Sequence, residues 1–299
     1  MGVLAEQDGF NLDEIGRKMS EEAGPVGLAQ EARAAFSAIV EAGEVLLSYA
    51  RTGFRINFKG RIDLVTDADL ASEKVILHAL KGIEEVEILA EEDSGSSPVP
   101  GKWDLSPGRY WIVDPLDGTT NFAHFFPMYA VSIALTQVDS SASCTPLLGM
   151  VYLPRLKELF WGLKGRGAWL NCNPISVSTQ ESMERSLLAT GFPYDIHEDS
   201  GDVIDAFSKM IVRAQGIRRA GAAAIDLAYV AAGRFEGFWE MKLKPWDTAA
   251  GWLLIQEAGG QVSDFQGRPF TPFFSEVAAS NSHIHKEMIR LLSDYSIGR

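Results

Sequence analysis

Apolar positions return along this chain in two rhythms. From residue 28 to about residue 50 they recur every three or four positions through Ala-, Glu- and Leu-rich text, which predicts a long helix. Residues 56–65 read as strand or loop. Thr66 is placed to cap a second helix over 67–80. A short apolar run at 86–90 predicts a buried strand ending at Glu91-Glu92, and 94–108 is a Ser/Pro/Gly-rich loop. Residues 111–113, 129–137, 147–153, 159–161 and 167–171 then read as successive strands of a large antiparallel sheet.

Beyond about Ser186 the rhythm changes. A strand at 187–190 precedes a helix at 203–214 and a small-residue helix at 222–232 closed by Gly233. A strand at 235–241, a helix at 246–258 closed by Gly259-Gly260, a strand pair around Gly267 and a helix at 283–292 complete the chain. Strand and helix alternate here as in an α/β layer. The pattern predicts an α/β protein in two parts, 28–185 and 186–299, preceded by a polar tail or loosely attached arm at 1–27.

Composition narrows the chemistry. At 46% hydrophobic and 22% charged residues the chain is globular. Its net charge of −13 argues against nucleic acid as the main ligand. It also argues against anionic substrates unless cations bridge the two. Two cysteines and five scattered histidines exclude a disulfide framework and a Cys-rich or HExxH zinc site. A metal site here would be built from oxygens, which suits Mg²⁺, Mn²⁺ or Ca²⁺. No apolar run reaches the roughly 18 residues of a membrane span, and residues 1–24 lack a signal-peptide core. These features predict a cytoplasmic protein without a membrane partner.

One stretch concentrates that chemistry. In WIVDPLDGTTNF (111–122) two carboxylates leave an apolar strand and meet Gly-Thr-Thr, which reads as turn chemistry followed by a helix cap. A helix start offers unpaired N–H groups, hence an anion site. Carboxylates do not need an anion site; a metal-bound phosphate would use both halves. An EF-hand loop needs acids at alternate positions. The haloacid-dehalogenase phosphatases carry one residue between their aspartates, and this chain carries two. Further acids sit at strand ends and helix starts: Asp63, Asp69, Glu91, Glu92 and Asp247. Cations would relieve their mutual repulsion.

The set DLVTDAD (63–69), AEEDS (90–94), WIVDPLDGTTNF, GFPYD (191–195), AGAAAIDLAYVAAGRFEGFWE (220–240) and PWDTAAGWLLIQEAGG (245–260) resembles the inositol monophosphatase family over roughly 28–295. Ala90 replaces the Gly that commonly precedes the paired Glu. The resemblance implies an alternating α/β/α/β/α layered sandwich of the sugar-phosphatase type. It implies a lithium-sensitive, Mg²⁺-dependent phosphomonoesterase, commonly a homodimer, with two or three ions and Mn²⁺ as an alternative. Glu91, Asp114 and the Leu116 carbonyl would hold one ion. Asp114, Asp117 and Asp247 would hold another. Gly118 and Thr119 would receive the phosphate, while Thr119 and Asp69 would orient the attacking water. Glu240 and the backbone around Gly221 and Ala223 would contact substrate hydroxyls.

Inositol monophosphate or a related polyol or sugar phosphate is the substrate expected. The alternatives are a fructose-1,6-bisphosphatase, a 3′-phosphoadenosine 5′-phosphate phosphatase or a histidinol phosphatase. A phosphatase-fold regulatory or RNA-polymerase-binding protein is the non-enzyme alternative.

Overall fold

The structure is a computed structural model that describes residues 10–92, 103, 105–141 and 143–295. The loop expected at 94–108 lies largely outside the described residues. In chain order the elements are α1 (Leu12–Ala23), α2 (Ala29–Thr52), β1 (Ile56–Phe58), β2 (Leu64–Thr66), α3 (Asp67–Leu80), β3 (Val86–Ala90), β4 (Gly108–Asp117) and α4 (Thr119–Ala123). The meander β5 (Ala130–Val138), β6 (Cys144–Leu153), β7 (Glu158–Leu163), β8 (Gly167–Leu170) and β9 (Asn173–Ile175) follows. The remainder comprises β10 (Leu187–Thr190), α5 (Gly201–Ile211), β11 (Gly216–Arg218), α6 (Ala223–Ala231), β12 (Gly237–Met241), α7 (Pro245–Glu257), β13 (Gln261–Ser263), β14 (Glu276–Ser280) and α8 (His285–Leu292).

Seven strands form one sheet in the order β3-β4-β5-β6-β7-β8-β9, and five form another in the order β11-β10-β12-β14-β13. β3 runs parallel to β4, and every other neighbour in the large sheet is antiparallel. The period-2 alternation of a strand decides what each face touches. Trp111 and Val113 of β4 join Ile39, Leu46 and Ile76 in a core under α1, α2 and α3. Tyr110 and Ile112 of the same strand face the opposite way, into a core with Ile225, Leu227, Ala250 and Leu254 of α6 and α7. Ala189 and Phe238 of the five-stranded sheet close that core from beyond. Leu188 and Trp239 turn outward onto Ala206 and Met210 of α5 and Met288 of α8. Five layers result, in the order helices, large sheet, α6 and α7, small sheet, α5 and α8. This is the α/β/α/β/α sandwich expected.

Three local readings are corrected. Residues 12–23, taken as part of a polar tail, form α1: Asn11 accepts from the Asp13 and Glu14 N–H groups, and Ile15, Met19 and Ala23 are buried. The segment Asp114 to Asp117, read as a turn, belongs to β4. The strand pair expected around Gly267 is mostly a loop; β13 pairs with β14 instead, and only an isolated Ser263–Pro269 bridge crosses it. No described helix is long and apolar enough to cross a membrane.

Candidate active site

Side chains three apart on a regular strand face opposite sides of the sheet. Asp114 and Asp117 escape this because β4 bulges between them: Asp114 pairs with Ser132 and Asp117 with Ala130, three steps on one strand against two on the other. The extra residue restores both carboxylates to one side. Pro115 suits the bulge because it has no N–H to leave unpaired. The bulge is pinned by the Leu116 N–H donating to Asp114 (2.9 Å) and by the Ser72 hydroxyl donating to the Pro115 carbonyl (2.7 Å).

Glu91 follows β3, whose parallel register sets Ala90 beside Val113; the Glu91 N–H donates to the Val113 carbonyl (3.2 Å). Glu91 is therefore level with Asp114. Asp247 arrives from the other half of the chain, in the first turn of α7, where its carboxylate accepts from the Lys244 N–H (2.6 Å). The Ser132 hydroxyl donates to the Trp246 carbonyl (3.3 Å) and ties this helix start to the strand position opposite Asp114. Asp117 accepts from the Ala224 N–H (2.9 Å), and the Ala223 and Ile225 N–H groups also face it. α6 has no side-chain cap of its own; β4 lends it one.

Four carboxylates thus share one bowl. Burial raises Glu91 to about 8 against the pull of Lys59, with Glu92 and Asp247 pushing it further up. Burial holds Asp117 and Asp247 at about 7. Asp114 lies well above the usual range, through burial and then the charges of Glu91, Asp117 and Asp247. The Lys59 ammonium lies 3.2 Å from Glu91 and also contacts Glu92. Among the described residues no three acid, histidine or cysteine side chains are arranged to hold a common ion as they stand. Even so, the donor set is oxygen only, buried at Asp114 and Asp117 and half-buried at Glu91 and Asp247, and short of positive charge. It fits a hard divalent cation.

Beside the bowl, Gly118 takes a left-handed φ of 85° and opens α4. A Cβ there would lie 2.9 Å from the Met128 carbonyl oxygen. Thr119, read as a cap, is instead the first residue of α4, and its side chain faces the protein. Its hydroxyl lies 2.9 Å from Asp69 and 3.1 Å from the Leu116 carbonyl. The other oxygen of Asp69 accepts from the Thr66 N–H (2.8 Å) and hydroxyl (2.6 Å), so the capping box that starts α3 also fixes the Thr119 partner. The Asn121 amide donates to the Met128 and Ala220 carbonyls, binding α4 to the loop of Gly221.

Glu240 on β12 is buried further along the cleft, and its carboxylate is in direct contact with the site a Cβ on Gly191 would fill. Burial, then the charge of Asp247, raises it well above the usual range, with Arg219 opposing. The sequence reading passed over several groups here. Lys59 is a cation set against Glu91 and Glu92, and a basic residue four positions before Asp63 was its only signal. Asp226 is fully buried, with neither carboxylate oxygen hydrogen-bonded among the described residues. Its helical text gave no sign of that.

Comparison with known proteins gives the family. The inositol monophosphatase family matches residues 28–296. The inositol-1-monophosphatase of Synechocystis is 41% identical over 261 residues, 87% of each chain. The Nus factor SuhB of Escherichia coli is 39% identical, over 79% of this chain and 85% of its own. The structure of an inositol monophosphatase from Anabaena superposes with a TM-score of 0.75 at 37% identity, covering 87% of this chain and 94% of that one. The family is metal-dependent. A bulged strand end with buried carboxylates, a capped Asp–Thr pair and a five-layer sandwich are thus found in a chain that belongs to the inositol monophosphatase family and is a phosphatase.

Proposed function

We propose that this enzyme hydrolyses inositol monophosphate or a closely related polyol phosphate, with Mg²⁺ in the carboxylate bowl. One observation carries the reading: the buried Asp114 and Asp117 at the end of β4 lie within the field of half-buried Glu91, just after β3, and Asp247, in α7, with the Asp69–Thr119 hydrogen bond beside them. Glu91, Asp114, Asp117, Asp247 and the Leu116 carbonyl would hold two or three Mg²⁺ ions, or Mn²⁺. When bound, the ions supply the positive charge that screens and polarises the phosphate.

The chain's own groups do the rest. Thr119 donates its proton to Asp69, which leaves its oxygen lone pairs free to accept from a water. The water is thereby aimed, and its proton passes along Thr119 to Asp69. Burial raises the Asp69 carboxyl despite three hydrogen bonds to Thr66 and Thr119, which favours accepting that proton. The Gly118 and Thr119 N–H groups steady the phosphate. Glu240, with the backbone of Gly221 and Ala223, accepts and donates hydrogen bonds to the alcohol half. An acid at Glu240 suits neutral hydroxyls better than a second phosphate, which disfavours bisphosphate and nucleotide substrates.

Phosphate release from inositol monophosphate, with Mg²⁺ and after chelation, tests the reading. Metal-dependent release is expected. Equal release in excess EDTA, or release from other esters alone, would overturn it. Lithium inhibition, a homodimer and a cytoplasmic setting belong to the same proposal; exposed Phe125 and Phe126 beside α4 offer apolar surface to a second copy. The name of the Escherichia coli relative favours a regulatory role as a second reading, which co-purification with the transcription machinery would test.

A further inference from the structure

The outer helices α5 and α8 carry charge that the chemistry above does not use. Their inner faces are settled, with Ala206, Met210, Met288 and Leu292 packed on the small sheet. Beside them lie two cavities that meet at Arg290. One, of about 400 Å³, opens between α8 and the turn after β13; Lys286, Arg290, Ser282, Ser293 and Gln261 line it. The other, of about 340 Å³, opens between α8 and the end of α5; Lys209, Arg213, Arg290 and Asp294 line it. The two form one groove over the outer layer.

The groove is basic in a chain whose net charge is −13. Among the described residues no carboxylate lines the first cavity. In the second, Asp294 is taken by Lys209 (3.5 Å), which also meets Asp205 (3.6 Å). Arg213, Lys286 and Arg290 have no ion-pair partner among the described residues. Helix stability explains only Arg213, which lies just past the last turn of α5, where the dipole favours a cation. Lys286 stands in the first turn of α8, at the positive end. Arg290 follows it at i+4, so like charges are neighbours on one helix face. An anion between them would relieve that repulsion. His285 in the wall offers it nothing, since the Ser263 and Ser280 hydroxyls engage both ring nitrogens (2.9 Å each). The donors that remain are two guanidinium forks, the Lys286 ammonium and the Ser293 hydroxyl, a set that matches phosphate oxygens.

We propose that this groove is a second anion site, which binds a polyphosphate chain, free or carried by a nucleotide, without a metal. Arg290 holds the middle of the chain, with Lys286 and Arg213 on either side. Unpaired cations spread over two cavities call for several negative charges in a row, and a single phosphate reaches only one cavity. The site is remote from the bowl. The Ser282 hydroxyl donates to the Gly259 carbonyl (3.1 Å), just past the end of α7, whereas Asp247 lies in the first turn of that helix. The length of α7, roughly 20 Å, separates the two.

Calorimetry in EDTA tests this. Without cations the carboxylates of the bowl repel anions, so the titration reads the groove. Tripolyphosphate should bind once per chain with a dissociation constant below about 1 mM. Inorganic phosphate should bind at least about tenfold more weakly. Arg290→Gln should weaken tripolyphosphate by about tenfold or more, and Lys286→Gln and Arg213→Gln by about threefold to tenfold each, the worth of one charge-assisted contact. Lys81→Gln makes the same charge change at the exposed end of α3 and should leave the affinity as it is. ATP in place of tripolyphosphate distinguishes the sources. Equal affinity assigns the site to the phosphate chain alone, and binding tighter by about tenfold assigns it to a nucleotide; either supports the groove. No saturable binding up to about 10 mM, full affinity in Arg290→Gln, or an equal loss in Lys81→Gln would overturn the proposal. The phosphatase reading is untouched by any of these results, because the groove lies outside the bowl.

Discussion

Asp117 serves two masters: it faces the bowl and it caps α6. Asp117→Asn separates the roles, because the amide oxygen still accepts from the Ala224 N–H. Turnover at ordinary Mg²⁺ should fall by about a hundredfold or more, the scale of about 3 kcal/mol of lost charge stabilisation. Stability in EDTA should hold or rise, since the variant removes a buried, repelled charge. Near wild-type turnover would remove Asp117 from the metal set. Gly191 supplies a second residue-scale test. Gly191→Ala would put a methyl where the Glu240 carboxylate lies, and the flexible end of Glu240 would have to swing aside. The variant should fold normally and lose roughly tenfold in kcat/KM for inositol monophosphate, with little change on p-nitrophenyl phosphate. Glu240→Gln should do the same, and the double variant should add little, because both act on one carboxylate. Additive losses would mean that Gly191 works by another route.

At the level of elements, what the sequence revealed depended on how local the signal was. Thr66 and the helix over 67–80 were legible to the residue, because cap, acid and apolar spacing lie within one turn of each other. Asp114, Asp117, Glu91 and Asp247 were legible as a group only through resemblance, since their meeting depends on a bulge and on the β3–β4 register. The bulge itself was unreadable: Asp-Pro-Leu-Asp-Gly is good turn text, and it takes the long-range pairing with β5 to hold it as strand. Asp226 was illegible for the same reason, its surroundings being supplied by distant segments. α1 is the instructive miss. Its buried face is only Ile15, Met19 and Ala23 in largely polar text, and all three are at most 1% exposed in the core beneath α2. The Lys18 ammonium also lies 5.6 Å from the Trp169 ring. Ile15→Ala should therefore cost about 2–4 kcal/mol in urea unfolding while leaving kcat unchanged. A loss below about 0.5 kcal/mol, within the range of a surface substitution, would restore the loosely attached arm.

For the whole molecule, two buried groups of opposite kind set the response to pH. His285 lies between the Ser263 and Ser280 hydroxyls, 2.9 Å from each, and burial lowers it to about 4. Its contribution to stability is complete above its unfolded pKa near 6.5 and is lost as pH falls towards 4. The bowl works the other way. Glu91, Asp117 and Asp247 are raised to about 8, 7 and 7, so without metal the folded state holds protons that the unfolded state has released. Their contribution is complete below about 4, the unfolded carboxylate value, and is lost as pH rises to about 8. Between 4 and 6.5 the two trends oppose each other. Above 6.5 the raised carboxyls act alone, those of the bowl together with Glu240 and Asp226. In EDTA the melting temperature should therefore decline from pH 6.5 to 8, and Mg²⁺ should flatten that decline, because a bound cation favours the ionised acids. The stabilisation by Mg²⁺ should accordingly grow with pH across this interval. Asp247→Asn should remove part of both the decline and the Mg²⁺ effect. A metal-free melting temperature that stays level from 6.5 to 8, or a Mg²⁺ shift independent of pH, would mean that the four carboxylates do not form one electrostatic unit, and the assignment of the bowl would fall with it.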